Sequence, residues 1–220
     1  MRLFYCVATK TMKALFILLT RWRVEGKENV PKQGSLIVVA NHLNLIDPPL
    51  LGVSVARRIN FMAKQELFRP SLGAYFVRAS GAFPVRRGKL DREAIRRALE
   101  VLKNGGVVGM FPEGKRSLNN QLLPIQPGTA FVAVRSGAPI LPIGISGSEQ
   151  VKGIGFIIHR PRITVTIGRP FSLPYSKDKP LRSQLPELSD MISKRIAELL
   201  PSSYQEPLSY QSGSRSSHGD

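Results

Sequence analysis

Short apolar runs rich in β-branched residues alternate with segments of helical periodicity along most of the chain. Residues 35–40, which follow Pro31 and Gly34, predict a buried strand, and residues 107–111 predict another. Between them, residues 91–103 repeat apolar side chains at helical spacing, begin with a capping aspartate and end before two glycines. This alternation predicts an α/β fold, a single domain with a mixed, largely parallel sheet flanked by helices.

The other predicted elements complete the pattern. Further strands are expected at residues 59–63, 82–85, 139–145 and 162–167, and further helices at residues 47–57, 128–136 and 185–199. Apolar and polar residues alternate in the strand at 162–167, which indicates a half-exposed strand or one at the sheet edge. A chain of 220 residues suffices for one such domain, which we place at residues 22–200. The Ser-rich residues 201–220 lack apolar periodicity and are expected to form a disordered tail.

The N-terminal segment carries a separate, cationic pattern. Four basic side chains fall within about a third of a helical wheel, namely Arg2, Lys10, Lys13 and Arg21. The two lysines interrupt the apolar run, which is therefore shorter than the roughly 20 residues that span a bilayer. We predict that residues 1–21 form an amphipathic helix at a membrane interface, with Trp22 at its end. The alternative is a helix that packs only on its own domain.

The charge balance indicates an anionic partner. Thirty-two Lys and Arg residues against fifteen Asp and Glu residues give a formal net charge of +17. A nucleic acid, an anionic membrane surface or a phosphorylated substrate would each match this excess. A nucleic-acid partner is not expected, because the sixteen aromatic residues do not interleave with Lys and Arg as in RNA-recognition sequences. Salt-sensitive binding of duplex DNA without liposome binding would favour that class instead.

The cysteine and histidine residues exclude two kinds of site. Cys6 is the only cysteine, so the chain forms no intramolecular disulfide, which fits a cytoplasmic setting. His42, His159 and His218 are scattered, and with Cys6 they have no metal-ligand spacing. We therefore expect no metal site.

A histidine and an aspartate lie just beyond the strand at 35–40. His42 follows the carboxyl end of that strand, where open α/β sheets bind their ligands. Asp47 lies five residues further on, at a helix start, so a turn can bring its carboxylate against the imidazole. The chain has no G-x-S-x-G nucleophile elbow. A His–Asp pair without its own serine predicts a base that deprotonates a substrate alcohol, although such a pair is also often structural.

A second segment, FPEGKRS at residues 111–117, follows the strand at 107–111. Gly114 allows close backbone approach to a ligand, and Lys115 and Arg116 offer charge-assisted donors to a phosphate. Residues 109–115 match G-x-x-x-x-G-K, but a phosphate-binding P-loop requires Ser or Thr where the chain has Arg116. Pro112 also removes an N–H group from such a loop. The nucleotide-hydrolase interpretation is therefore rejected.

Four motifs in order resemble one known family. NHxxxxD, GAFPVRRG, FPEGKRS and PILPIGI are similar to the four blocks of the glycerolipid acyltransferases, the 1-acyl-sn-glycerol-3-phosphate acyltransferases, over roughly residues 20–170. The resemblance implies an acyltransferase of phospholipid biosynthesis that moves a fatty acyl group from acyl-CoA or acyl-ACP to lysophosphatidic acid. Glycerol-3-phosphate or another lysophospholipid remains an alternative acceptor. No cofactor is implied beyond the thioester co-substrate, and acyl carrier protein is a possible partner.

The resemblance also implies roles for individual residues. His42 would be the general base and Asp47 the residue that orients it. Arg87, Glu113, Gly114 and Arg116 would shape the acceptor-phosphate site, and the fourth block would help to form the acyl-binding wall. Lys115 replaces a threonine common in the family and adds positive charge beside the phosphate. Bacterial members lie on the inner leaflet, which implies a peripheral or monotopic protein on the cytoplasmic face of the cell membrane.

Overall fold

A computed structural model of the chain describes residues 2–69, 74, 77–78, 81–86, 91–174 and 183–205, with side chains from Val7 onward. The strands are β1 (Arg21–Glu25), β2 (Leu36–Ala40), β3 (Ile59–Lys64), β4 (Phe83–Val85), β5 (Val107–Met110), β6 (Ile140–Ser146) and β7 (Arg162–Ile167). The α-helices with described bounds are α1 (Arg2–Leu19), α2 (Asp47–Val55), α3 (Arg92–Lys103), α4 (Pro127–Ser136), α5 (Phe156–His159) and α6 (Leu185–Ala197).

The seven strands form one sheet in the order β1-β7-β6-β2-β5-β3-β4. All neighbouring strands run parallel except β6 and β7, which are antiparallel. The mixed, largely parallel sheet flanked by helices that the sequence predicts is therefore confirmed. Because β2 and β5 are parallel neighbours at the centre, the loops after both strands leave the same edge of the sheet.

The central strand β2 is buried on both faces and joins two hydrophobic layers. Ile37 and Val39 pack in the layer that also contains side chains of α3, α4 and α6. Leu36 and Val38 pack in the opposite layer, beneath α1 and α2. A parallel strand covered by helices on both faces is apolar throughout, which explains the uninterrupted apolar run in its sequence.

Two details of the sheet differ from the sequence-based expectation. Residues Arg21–Glu25 form an edge strand. The helix predicted over residues 1–21 therefore ends at Leu19, and Arg21 and Trp22 belong to the strand. Of the two alternatives for residues 162–167, the edge strand is wrong, because β1 pairs along the outer side of β7, and the half-exposed strand is the one observed. The alternation in β7 instead reflects buried apolar residues between half-buried threonines.

The chain end is packed further than expected. Residues 201–205, assigned to a disordered tail from the sequence, include a short 3-10 helix, Ser202–Tyr204. The Tyr204 carbonyl accepts from the Leu122 N–H, and its hydroxyl donates to Glu149 at 2.8 Å. The prediction for residues 206–220 lies outside the described residues. Among the helices described, none is both long enough and apolar enough to cross a bilayer.

Candidate active site

His42 and Asp47 lie where β2 passes into α2. β2 ends at Ala40, and His42 belongs to the turn that follows. Asp47 is the first residue of α2, and Pro48 and Pro49 occupy the first turn, where a missing N–H is tolerated. Asp47 thus lies at a helix start, as the sequence predicts, and Ile46 occupies the cap position before it. The Asp47 carboxylate is turned back to the residues before the helix, at the carboxyl end of the sheet.

The two side chains form a buried hydrogen-bonded pair. His42 Nδ1 lies 2.8 Å from Asp47 Oδ2, and the residues are 6% and 0% exposed. The same oxygen accepts the backbone N–H groups of Leu43 and Asn44, each at 2.7 Å. A carboxylate beside Nδ1 favours the tautomer with the proton on that nitrogen. Nε2 is then the nitrogen that can accept a proton from a substrate.

An aromatic stack fixes the plane of the imidazole. The ring of Phe111 stacks on His42 with a centroid distance of 4.1 Å, and Phe61 stacks on Phe111 at 5.9 Å. The adjacent strand residue is Gly109, where a Cβ would come within 2.6 Å of the Phe61 ring. A larger residue at this position would displace Phe61. Gly109 therefore serves the packing beneath the site rather than a phosphate loop, and no helix follows β5 before Pro127.

The turn between β2 and α2, residues 41–46, is here called the catalytic turn. Two asparagines, to which the sequence assigned no role, connect this turn to β6 and the loop after it. The Asn41 side chain accepts from the Ile145 N–H at 2.7 Å and donates to the Ile145 carbonyl at 2.9 Å. Asn44 Nδ2 donates to the carbonyls of Ser148 and Val151, both at 2.9 Å. The Asn41 bonds to Ile145 continue the contact between β2 and β6 beyond Ala40, where β2 ends. Both residues therefore position the turn that carries His42.

Glu113 holds the catalytic turn from the other side. Its Oε1 accepts the His42 backbone N–H at 2.8 Å, and its Oε2 accepts the Leu123 N–H at 3.1 Å. Because the residue is only 3% exposed, its carboxylate is less accessible to a ligand than to these backbone N–H groups. Burial, with a smaller contribution from the charge of Asp47, outweighs the lowering effect of the two N–H donors and raises the pKa of Glu113 to about 7.

Glu113→Gln is expected to change how stability depends on pH. A carboxyl with a raised folded-state pKa binds its proton more tightly in the folded chain than in the unfolded chain. Its contribution to the free energy of unfolding is therefore complete below pH 4.5 and is lost by about pH 7. Relative to the variant, the wild-type free energy of unfolding should therefore fall by about 3 kcal/mol over that interval. Urea unfolding of both proteins at a series of pH values measures this difference. A difference that does not vary with pH would contradict the raised pKa.

The remaining predicted ligand residues are distributed unevenly. Gly114 has φ of +72°, a left-handed conformation that lets its N–H bond to the Phe111 carbonyl at 3.0 Å and closes a tight turn. Beyond this turn, Lys115 and Arg116 are both exposed. Arg116 lines the same cavity as His42, whereas Lys115 is not part of that lining. Arg87 lies outside the described residues.

A cavity of about 600 Å³ opens beside His42. Its walls are mainly apolar and come from α1, the turn before α2, α2 itself, β3 and the segment after β5; they include Met12, Leu45, Val53, Ile59, Phe61 and Phe111. Two cationic side chains, Lys64 and Arg116, also line it. Lys64 was not singled out in the sequence. Its position at the carboxyl end of β3 is the feature that could have identified it.

The arrangement suits an amphiphilic anionic ligand. An apolar wall, two cations and the His42 imidazole meet in one cavity, where a lipid with a charged head group can bury its chain. Among the described residues, no group of three or more His, Cys, Asp and Glu side chains is placed to hold a metal ion.

Comparisons with known proteins identify the family of this chain. A family model described as Acyltransferase matches residues 21–146. The 1-acyl-sn-glycerol-3-phosphate acyltransferase of Bacillus subtilis is 27% identical over 196 residues, 89% of this chain and 96% of that protein. The enzyme of the same name from Streptococcus pneumoniae is 29% identical over 78% of this chain and 64% of its own length.

A solved structure extends the likeness to the fold. The crystal structure of the 1-acyl-sn-glycerophosphate acyltransferase PlsC from Thermotoga maritima superposes with a TM-score of 0.69 and is 30% identical. The match covers 89% of this chain and 79% of that one. The family model, the relatives and this structure together show that the chain belongs to the acyltransferase family that includes the 1-acyl-sn-glycerol-3-phosphate acyltransferases.

Proposed function

We propose that this protein transfers a fatty acyl group from an acyl thioester to the free hydroxyl of lysophosphatidic acid, giving phosphatidic acid in phospholipid biosynthesis. One observation carries the proposal: His42, oriented by Asp47, lines a cavity that combines apolar walls with the cations Lys64 and Arg116. The names of the relatives from Bacillus subtilis and Streptococcus pneumoniae support the same activity.

His42 acts as the general base in this reaction. With Nδ1–H donated to Asp47, Nε2 removes the proton of the acceptor hydroxyl, and the buried carboxylate stabilises the resulting imidazolium. The acceptor oxygen then bonds to the thioester carbonyl carbon. The carbon–sulfur bond breaks, and the proton held by His42 passes to the departing thiolate. The chain thus needs no nucleophilic serine of its own.

Both thioester donors fit this chemistry. Acyl-CoA and acyl-ACP present the same carbonyl and the same thiol leaving group, so the catalytic pair does not distinguish them. The apolar walls of the cavity, which include Met12, Val53 and Ile59, would receive a fatty acyl chain. Acyl carrier protein is therefore proposed as a partner on equal terms with coenzyme A.

The acceptor phosphate is assigned to the cationic side of the cavity. Arg116 offers a planar guanidinium that can grip a phosphate with two parallel hydrogen bonds. Lys64 contributes a second positive charge from the carboxyl end of β3, where it also pairs with Glu66 at 3.2 Å. Gly114 shapes the turn that presents Arg116, and Glu113 holds that turn against His42. Arg87 and Lys115 remain predicted contributors to the phosphate site.

Arg116→Ala is expected to raise the KM for lysophosphatidic acid by roughly 10- to 100-fold, because a hydrogen bond to a charged group is worth about 1.5–3 kcal/mol. The KM for a monoacylglycerol acceptor, which lacks the phosphate, should change little. Steady-state assays with both acceptors measure the two effects. Arg96→Ala is the matched control, since Arg96 is exposed on α3 and pairs with Glu93. Equal KM increases for the two acceptors would contradict the phosphate assignment.

The choice of acceptor is tested with a panel. Purified wild-type protein is assayed with lysophosphatidic acid, glycerol-3-phosphate and a lysophospholipid of larger head group, each with acyl-CoA and acyl-ACP. The highest kcat/KM is expected for lysophosphatidic acid. A higher value for glycerol-3-phosphate or the larger lysophospholipid would replace the proposed substrate within the same fold. Transfer to none of the acceptors would contradict the activity itself.

The protein is proposed to work peripherally at the cytoplasmic face of the membrane, where its lipid acceptor resides. On α1, four apolar side chains are exposed by 41–67%, namely Val7, Leu15, Ile17 and Leu18. Exposed lysines flank them, which is the pattern of a helix in the interface of an anionic bilayer. The same helix buries Phe16 and contributes Met12 to the cavity wall, so it also belongs to the domain. The single cysteine is consistent with a cytoplasmic setting.

A further inference from the structure

We propose that residues 152–160, here called the isoleucine segment, form a second membrane contact beside α1. This contact holds the end of the sheet that carries His42, here called the catalytic edge, against an anionic bilayer. This inference rests on the proposed function, because a lipid acceptor must reach the cavity from that bilayer. The segment comprises a glycine-containing turn and the short helix α5, Phe156–His159.

The isoleucine segment carries three isoleucine side chains that are exposed to solvent. Ile154 and Ile158 are 83% and 84% exposed, and Ile157 is 44% exposed. Single exposed apolar residues are ordinary on protein surfaces, but adjacent ones that continue an apolar patch mark an interaction site. Three isoleucines within five residues of this segment therefore indicate an interaction surface.

The exposed patch continues onto the end of α1. The Arg160 guanidinium donates to the Ile17 carbonyl at 3.0 Å, and the Arg21 N–H donates to the Pro161 carbonyl at 2.9 Å. These bonds place the end of α5 beside the end of α1, where Ile17 and Leu18 are 55% and 67% exposed. The isoleucine segment and the end of α1 thus form one surface rather than two separate ones.

The strand directions place this surface at the catalytic edge. β2 and β6 are parallel and both end at the edge that carries His42. β7 runs antiparallel to β6, and β1 runs parallel to β7, so both of these strands begin at that same edge. The isoleucine segment immediately precedes β7, and α1 immediately precedes β1. The exposed apolar surface and the catalytic turn therefore lie at the same edge of the sheet.

A direct connection links the catalytic turn to the isoleucine segment. Asn44 Nδ2 donates to the carbonyls of Ser148 and Val151, just before the segment begins. The neighbouring Leu45 is 65% exposed and lines the cavity beside His42. Contact of the isoleucines with a bilayer would therefore bring the cavity mouth to the lipid surface in a fixed orientation.

The charges around the patch select an anionic bilayer as its occupant. Lys10 and Lys13 are exposed on α1, Lys152 and Arg160 are exposed in the isoleucine segment, and neither element contains an acidic residue. Basic residues near an anionic leaflet add to the binding that inserted apolar side chains provide. A second copy of the chain is a poor match, because it would bring its own charge of +17 to the contact.

The double variant Ile154→Ser/Ile158→Ser tests this proposal in the full-length protein. Binding to vesicles of equal parts phosphatidylglycerol and phosphatidylethanolamine is expected to weaken by about tenfold or more, since two inserted apolar side chains are lost. Thermal unfolding should be unchanged, because both side chains are exposed. Met191→Ser is the matched control, since Met191 is 43% exposed on α6, across the sheet from α1 and α2. Vesicle binding equal to wild type, or an equal loss in the control, would overturn the proposal.

Acyl transfer provides the second measurement. The double variant should lose transfer to vesicle-embedded lysophosphatidic acid in proportion to its lost binding, and should keep the wild-type rate on a short-chain acceptor below its micelle concentration. Loss of transfer to the soluble acceptor as well would assign the isoleucines to the active site and overturn the membrane contact. Failure of the proposed function is distinguishable, because wild-type protein would then acylate neither acceptor while the vesicle-binding comparison remained valid. Wild-type dimers that dissociate in the variant, with vesicle binding unchanged, would identify a protein interface instead.

Discussion

Replacing His42 with alanine is expected to lower kcat for acyl transfer by at least about 10²–10⁴-fold, the range that positioned general bases contribute. Without the imidazole, no described side chain at the carboxyl end of β2 can take the proton of the acceptor hydroxyl while Asp47 stabilises the charge formed. The KM for lysophosphatidic acid should change much less, because Arg116 and Lys64 still line the cavity. A loss confined to kcat is the kinetic signature of an interaction made in the transition state.

The fold should survive this substitution well enough for the kinetics to be meaningful. The His42 backbone N–H still donates to Glu113, and its carbonyl still accepts from the Ser117 N–H at 2.8 Å. Loss of the ring removes its stacking on Phe111, so some decrease in thermal stability is expected. Arg96→Ala is again the control, because that residue is exposed on α3 and lies outside the cavity lining. Transfer at the wild-type rate by purified His42→Ala protein would exclude His42 as the base.

The layout of the domain could be predicted because local patterns determine it. The alternation of buried strands and amphipathic helices indicated the parallel sheet, and the Asp91 cap of α3 is confirmed by bonds to the N–H groups of Glu93 and Ala94. β1 was missed because Arg21–Glu25 carries few apolar residues, and its pairing with β7 joins segments more than 100 residues apart. An edge strand is defined by its partner rather than by its own sequence.

The site was predictable in part for the same reason. His42 and Asp47 are five residues apart, so one turn brings them together and sequence spacing could suggest it. The contacts of Glu113 with the His42 backbone, and of Asn41 with Ile145, cross 71 and 104 residues of sequence. No local pattern encodes such contacts. The sequence therefore named Glu113 as a substrate-site residue without indicating that both its oxygens bind backbone N–H groups.

Asp47→Asn is expected to lower kcat by about 10²-fold, for a reason that the sequence alone did not provide. From spacing, the expected defect is a wrong histidine tautomer, because an asparagine can turn its amino group toward Nδ1. In the structure, however, Asp47 Oδ2 also accepts the N–H groups of Leu43 and Asn44 at 2.7 Å. Two backbone donors require an oxygen at that position, so the amide oxygen of the variant should remain there and the tautomer should be kept.

The predicted loss then isolates the charge of the carboxylate. A neutral amide forms a hydrogen bond with His42 that is weaker by about 1–2 kcal/mol than the charge-assisted one, and it does not offset the imidazolium charge in a buried site. Together these effects amount to roughly 2–3 kcal/mol of transition-state stabilisation, or about 10²-fold in rate. Asp47→Ala should lose more activity and also stability, because three N–H donors would lose their acceptor.

Steady-state kcat and thermal unfolding of the three proteins measure these effects. Asp190→Asn is the matched control, since Asp190 is exposed on α6. A loss for Asp47→Asn near 10⁴-fold, as expected when an asparagine enforces the wrong tautomer, would show that Leu43 and Asn44 do not hold the amide oxygen in place. A loss below about threefold would show that the carboxylate charge is not needed, and would leave Asp47 a residue that only shapes the turn. The size of the defect therefore distinguishes orientation from charge at a position where sequence spacing predicts both.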